Sequence, residues 1–521
     1  MNKLPVIESH ARGTVMFKHL FKKKNADDQP KKSLDELIKQ FKKSSDFMTL
    51  AIGSQHRKYI ITYFKQLVNM QSVEDKILEP FQKLDFTLSS VQEVENVLPI
   101  EDISVTKDTK EILEKMLRGY VMFQLHKDDK LVALIKVQSF DTGFRKENET
   151  ENEFSVVGPK IGFVEDLDVN LYLMRKTVIS ENLIFKELTV GNKSKTRVVL
   201  VYLEGVTNPQ HVETMTQRLE DIDFDVIFDS TMLDQLISDN SSTAFPLFLT
   251  TERIDRVLFS LLNGQAAFFS SGSPYAVTGP STLLDFFISP EDYYLPWVLG
   301  SFFRVIRILG VFFSIFATPL YVAIVTYHYE MLPKDLLGPI IFSRTNVPFP
   351  PVIEVLFLEI TIELLREAGA RLPTKVGQTL GIVGGIVIGQ ATVEAALTSN
   401  ILLIIVSLTA LASFTTPIFK MSNTIRLLRF PFILFATAFG LVGITFGFCF
   451  LLVHLLRLKS LGMPYLVPLF PFRPTEYRDT FLRLPYSHTA KRPSYLRPLE
   501  RFRYNPNKAN KMKRKSNLDN E

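Results

Sequence analysis

The chain has 521 residues, 46% of them hydrophobic, with 60 Lys and Arg against 55 Asp and Glu for a net charge of +5. The charge is uneven: residues 1–290 are net −6, residues 291–458 net +2 and residues 459–521 net +9. This excludes a uniformly basic nucleic-acid binder and a wholly soluble enzyme, and 43 Phe with 16 Tyr exclude an intrinsically disordered chain.

The first residues are basic and polar and read as a flexible arm. Ser33 and Glu36 ahead of Leu34, Leu37, Ile38 and Phe41 form a capping-box pattern that opens a short helix. Beyond it, strand-like and helical runs alternate. Tyr59 to Phe64 reads as a strand and Val73 to Leu84 and Lys107 to Leu117 as helices. Tyr120 to Leu125 and Leu131 to Val137 form a hairpin pair. After the polar stretch Thr142 to Glu153 the alternation repeats. Asp166 to Ile179 is helical, Phe185 to Val190 and Arg197 to Leu203 are strands, and Pro209 to Leu219 is a helix with proline in its first turn. Val226 to Phe228, Phe245 to Leu249 and Ala266 to Ser270 read as short buried strands, between helices near 231–237 and 251–262. This is an α/β pattern of two subdomains.

At Pro296 the composition changes. Ile308 to Tyr327, Val376 to Val393, Ala395 to Phe419 and Phe430 to Leu456 are uncharged runs. Their lengths suit helices crossing a bilayer core of about 30 Å. The fold expectation is therefore an α/β N-terminal region of two subdomains followed by an all-α polytopic transmembrane domain. The expected divisions are an arm and short helix (1–44), subdomain I (45–165), subdomain II (166–290), transmembrane helices (291–458) and a basic cytoplasmic tail (459–521). No apolar signal-peptide core opens the chain, so the N-terminal region is expected on the cytoplasmic side. Counting charges under the positive-inside rule favours four spans plus an amphipathic segment at 350–372, which leaves Lys420, Arg426 and Arg429 on the far side.

Residues 350–372 carry Glu359, Glu363 and Glu367 on one helical face, with Glu354 set off from it. Two readings stay open: an amphipathic helix at the interface, or a spanning helix whose carboxylates face a polar interior. Gly377, Gly381, Gly385 and Gly389 recur every fourth residue, a smooth ridge on which another helix packs closely. Thr379, Gln390 and Glu394 lie on another face of that helix. Gln378, Gln390, Thr392, Glu394, Glu359 and Glu363 are the pore-lining candidates, against the plainer reading of satisfied interhelical hydrogen bonds. The chain lacks H-E-x-x-H, G-x-S-x-G and Walker A patterns, and the single cysteine, Cys449, permits neither an intrachain disulfide nor a cysteine-rich metal site. No catalytic residue, metal or cofactor is expected.

Several stretches resemble a known family: GFVEDLDVNLYLMRKTV (162–178), ELTVGNKSKTRVVLVYLEGVTNP (187–209), SPEDYY (289–294), PFPPVIEVLFLEITIELLREAGARLPTKVGQTLGIVGGIVIGQATVEA (348–395) and LGMPYLVPLFP (461–471). They are similar to the A subunit of the nutrient germinant receptor of endospore-forming bacteria, the GerA family. Lys160 stands where that pattern usually has arginine, and Thr392 where it often has alanine. The resemblance implies a receptor in the spore inner membrane, with a polytopic, transporter-like B subunit that holds the nutrient and a lipoprotein C subunit. It also implies a homo-oligomer of this chain forming a nutrient-gated ion channel; the glycine-ridged helix with acidic Glu394 and the nearby Glu359 and Glu363 point to monovalent cations as the ions released. The partners expected are those subunits and membrane lipid, with no nucleic acid. A non-conducting scaffold that docks the nutrient-binding partner, or a transporter subunit, remains the alternative.

Overall fold

A computed structural model describes residues 33–52, 59–83, 88–100, 102–126, 129–137, 153, 157–474 and 476–504. The basic arm over 1–32, most of the polar stretch over 142–153 and the residues after 504 lie outside them. The chain divides into two compact units, Met1–Lys43 with Phe47–Gln138, and Ser44–Asp46 with Ser139–Glu521.

In the first unit, α1 (Leu34–Phe41) begins at the expected capping box: the Glu36 N–H donates to Ser33 Oγ, and the Ser33 N–H donates to the Glu36 carboxylate at 3.0 Å. The chain continues through β1 (Phe47–Ile52) and β2 (Tyr59–Phe64). A helical stretch follows, α2 (Met70–Val73) and α3 (Glu79–Gln82) joined by a π-turn at Glu74–Leu78. Then come α4 (Val94–Val97), β3 (Ile103–Thr106), α5 (Thr109–Met116), β4 (Tyr120–Gln124) and β5 (Val132–Lys136). The strands form one antiparallel sheet in the order β1-β2-β4-β5-β3, with Val121 opposite Ile135 in the expected hairpin. Phe41, Phe47 and Phe64 pack ring against ring at one end, 5.1–5.4 Å between centroids.

The second unit opens with the same plan. Its elements are α6 (Leu167–Thr177), β6 (Leu183–Val190), β7 (Thr196–Leu203), α7 (Pro209–Glu220), α8 (Ser230–Ile237), β8 (Leu249–Thr251), α9 (Ile254–Asn263), β9 (Ala266–Ser270) and β10 (Ala276–Gly279). Its antiparallel order, β6-β7-β9-β10-β8, repeats the first sheet strand for strand. The repeated alternation in the sequence is therefore a repeated topology, with antiparallel sheets rather than parallel βαβ units.

Two expected strands are absent. Residues 226–228 are irregular, and of 245–249 only Leu249 belongs to a strand. Their backbone groups bond to side chains: Ser194 and Thr196 hold Ile227, Tyr465 donates to the Pro246 carbonyl, and Ser460 to that of Leu247. A carbonyl satisfied in this way has less need of a ladder.

Arg175 of α6 is 1% exposed and donates to both Asp46 carboxylate oxygens (2.7 and 3.1 Å), to Ser44 Oγ and to the Leu183 carbonyl, while stacking on Phe185. We expect Arg175→Met to lower stability by about 3–5 kcal/mol, since it strands a buried carboxylate. Arg175→Lys will not restore it, because one ammonium cannot cover this planar set of acceptors. Thermal unfolding of the full chain checks both; a loss under 1 kcal/mol overturns the assignment.

After α10 (Glu291–Tyr294) come α11 (Trp297–Tyr327), α12 (Lys334–Arg344), α13 (Pro351–Arg371), α14 (Thr374–Glu394), α15 (Asn400–Ser413) and α16 (Phe419–Arg457). α11 and α16 are each long and apolar enough to cross a bilayer. The uncharged run 395–419 is not one span. Ala396 takes a positive φ of 54° after α14, and the Ser399 side chain caps α15 by accepting from the Leu402 N–H. The run 430–456 is not one span either. Gly440 adopts φ 60°, ψ −138°, and α16 folds back there into a hairpin with arms 419–439 and 441–457. Phe435 stacks on Phe450 across the arms, and Phe316 of α11 packs on Phe432 of one arm and Phe448 of the other.

Contacts order the helices along their length. Tyr321, late in α11, reaches Ser399 at the start of α15; Thr318 bonds Glu359 in α13; Tyr327 donates to the Thr437 carbonyl near the hairpin tip. α11, α13, α14, α15 and the two arms of α16 thus alternate in direction, and both ends of the hairpin return to subdomain II. There Lys420 bonds Asp234 at 2.6 Å, Thr424 donates to the Ala244 carbonyl, and His454 pairs with Thr243 at 2.9 Å. Burial pushes the Asp234 carboxyl above its ordinary value, with Lys420 opposing the shift. The four-span expectation is replaced by six alternating runs. An even count puts Lys420, Arg426 and the segment after α16 on one side together. That segment is folded: Tyr465 accepts from the Leu283 N–H, and Arg492 donates to the Leu262 carbonyl.

Candidate functional site

The bundle encloses a polar seam along α13. At its first turn Glu354, fully buried, accepts from Arg344 (2.9 Å) and from the Ser399 N–H (3.2 Å). In the middle Glu359, 1% exposed, pairs with Arg429 and accepts from Thr318 at 3.0 Å. Arg429 is also buried and spends its other donors on Ser314 and on the Thr409 carbonyl. Nearer subdomain II, Glu363 accepts from Arg366 at 2.8 Å and lies 3.4 Å from Arg426. Glu367 is exposed and pairs with Arg371 one turn on. Of the two readings of 350–372, the structure favours carboxylates turned into a polar interior. Glu354, set off by its spacing, is the most buried of the set.

The glycine-rich helix stands apart. α14 packs on α13, where Gly384 lies against Leu365, while Gly389 faces Leu403 of α15. Gly385 has open space where a Cβ would point, and Ile386 and Val387 beside it are 63% and 58% exposed. Gln390 and Glu394 are exposed and bonded to each other at 2.7 Å, the pairing their spacing implies. Thr392 is buried and donates back to the carbonyls of its own helix, the behaviour of a satisfied hydroxyl. The side chain of Gln378 and the positions of Gly377 and Gly381 against their neighbours lie outside the described residues.

The candidates therefore separate into two groups. Glu359 and Glu363 are engaged inside the chain, whereas Gln390 and Glu394 stand on an open face. The arginine partners of the seam were not identified from the sequence. Arg426 and Arg429 register there as topological charges, and their signal was an arginine pair beside an uncharged run.

A second set of ion pairs fixes the start of α11. Asp292 of α10 accepts from Arg304 at 3.1 Å and from Arg307 at 3.1 Å. Arg483 donates to the Tyr293 and Leu295 carbonyls. Among the described residues no group of three or more His, Cys, Asp or Glu could hold a metal.

A doubled α/β region that hands over to an apolar helical bundle with ion pairs inside belongs to the class of membrane proteins. The chain matches the family described as Bacillus/Clostridium GerA spore germination protein over residues 35–495, and it belongs to that family. It is 49% identical to spore germination protein GerQA of Bacillus cereus, over 93% of this chain and 97% of that one. It is 45% identical to GerIA of the same species (89% and 69%) and 36% identical to spore germination protein KA of Bacillus subtilis (89% and 86%). Among solved structures it matches the N-terminal domain of the A subunit of the Bacillus megaterium spore germinant receptor GerK3. That match has 24% identity and a TM-score of 0.37, over 49% of this chain and 96% of that one.

Proposed function

We propose that the chain is the A subunit of a nutrient germinant receptor in the spore inner membrane, without enzymatic activity. Copies of it assemble through α14 into a gated pathway for monovalent cations. A polytopic B subunit holds the nutrient, and a lipoprotein C subunit completes the complex. The observation that carries this reading is α14: a Cβ at Gly385 would meet nothing within 4 Å among the described residues, and Gln390 and Glu394 stand exposed at its end. A small-residue face of this kind lets helices approach closely, and carboxylates inside a membrane mark ion pathways. Nutrient on the partner shifts a closed–open equilibrium to the extent that it binds the two states differently. The α/β region faces the cytoplasm, in keeping with Lys420, Arg426, Arg457 and the basic segment lying on its side of the bundle.

Two variants test this in the assembled receptor. Gly385→Leu has room in the single chain, so it will leave the monomer folded and reduce assembly. Glu394→Gln removes a cation attraction of roughly 1–4 kcal/mol and will lower cation flux about tenfold or more. Spores carrying both changes and still releasing cations normally on nutrient addition would rule the pathway out. The scaffold reading draws on Glu359 and Glu363, which serve as internal struts; it predicts no conductance from the receptor reconstituted with its partners.

A further inference from the structure

A cavity of about 180 Å³ lies where α9, the turn before α11 and the folded segment after α16 meet. Arg256 and Phe259 of α9, Asp285, Tyr293 and Tyr294 of α10, and Tyr495 are among its walls. Arg256 is 5% exposed, yet its guanidinium makes no hydrogen bond among the described residues, and its Nε is buried without an acceptor. Its ion-pair partner is the buried Glu153, whose carboxylate oxygen stands 3.5 Å from Nε, longer than an ordinary N–H···O bond. The neighbouring arginines differ. Arg253 is bidentate to Asp255 at 2.8 and 3.0 Å, and Arg304 and Arg307 share Asp292, so those carboxylates are already engaged. A buried guanidinium left short of acceptors is costly.

The surroundings favour an anion over a cation. The faces of Tyr293 and Phe259 already carry guanidinium groups, from Arg304 and Arg483 on the first and Arg503 on the second. Each of these three arginines also keeps one buried nitrogen without an acceptor among the described residues. Of the acidic groups in the wall, Asp255 is held by Arg253 and by the Tyr294 hydroxyl. Asp285 accepts from the Thr282 N–H, and burial pushes its carboxyl up, which weakens repulsion of an incoming anion.

We propose that this cavity binds a small organic carboxylate, its two oxygens on the Arg256 fork and its apolar body beside Leu249 and Ile288 of the wall. Planar bidentate pairing is what an arginine fork offers that a lysine does not. Such a ligand would brace α9 against α10, whose Asp292 anchors α11. The site goes beyond the receptor reading above and does not depend on α14 forming a pore.

The test uses benzoate as probe with the detergent-solubilised full chain, read by calorimetry and by thermal shift, with benzyl alcohol and inorganic phosphate as comparisons. Benzoate is expected to bind and to raise the melting temperature, benzyl alcohol to do neither, and phosphate to bind more weakly than benzoate. Arg256→Gln should weaken benzoate at least tenfold. Glu153→Gln should tighten it severalfold by removing the competing carboxylate. Failure of benzoate to bind, equal affinity in Arg256→Gln, or preference for phosphate would overturn the proposal. Should Arg256→Gln not fold, unchanged affinity in Glu153→Gln overturns it alone.

Discussion

Replacing Arg429 with methionine is expected to destabilise the helical bundle by about 3–5 kcal/mol, because it strands the Glu359 carboxylate in the interior. Arg429 joins four helices through one planar group: it sits on α16, pairs with Glu359 of α13, and donates to Ser314 of α11 and Thr409 of α15. Glu359→Gln should cost less, since the amide keeps an acceptor for Arg429 and Thr318. The double variant Arg429→Met with Glu359→Gln should recover much of the loss, because neither buried charge then remains. A double-mutant cycle on thermal unfolding in detergent reads the coupling directly. Additive single losses would mean that the two side chains do not meet.

The second large effect belongs to the hairpin in α16. Gly440 holds φ 60°, ψ −138°, a region that costs a side-chain-bearing residue about 1–3 kcal/mol, and a Cβ there would also approach His328 Nε2 at 2.9 Å. Gly443 is tighter still: its Cβ would overlap the Phe435 carbonyl on the opposite arm. Backbone cannot yield as a flexible side chain does, so Gly443→Ala falls at or above the top of the about 1–3 kcal/mol range for overpacking. Both Gly440→Ala and Gly443→Ala should lower thermal stability, and Gly443→Ala should open the arms. Cross-linking cysteines introduced at 435 and 450, in a background lacking Cys449, reports the opening. Undiminished cross-linking in Gly443→Ala would contradict the hairpin.

The same hairpin shows where residue patterns stop being informative. An uncharged run of this length reads as one span, because hydropathy records burial in lipid and is blind to direction. The reversal depends on a single glycine with positive φ, among several glycines in the same run whose φ stays helical. The run over 395–419 misleads for a related reason. Thr398, Ser399 and Asn400 are uncharged, so they pass a hydropathy count, yet their side chains are the kind that end and begin helices.

Glu359 and Glu363 were legible as a helical face of carboxylates, and their cation partners were not. Arg426 and Arg429 lie far along the chain, and nothing in local spacing pairs them with α13. Gln390 and Glu394 form the contact their one-turn spacing foretells, because a helix fixes that distance unaided. Arg256 had no signal at all. Its site needs α9, α10 and a segment beyond the bundle to converge.

Local order and composition thus settled the kinds of element, the change at Pro296 from α/β to apolar helices, and the kinship with the GerA family, since periodicity, caps and transfer energies act over a few residues. Which carboxylate meets which arginine, how many times the chain reverses, and which face of α14 is left uncovered were settled by packing. Those outcomes depend on contacts between residues tens to hundreds of positions apart, and no short-range rule encodes them.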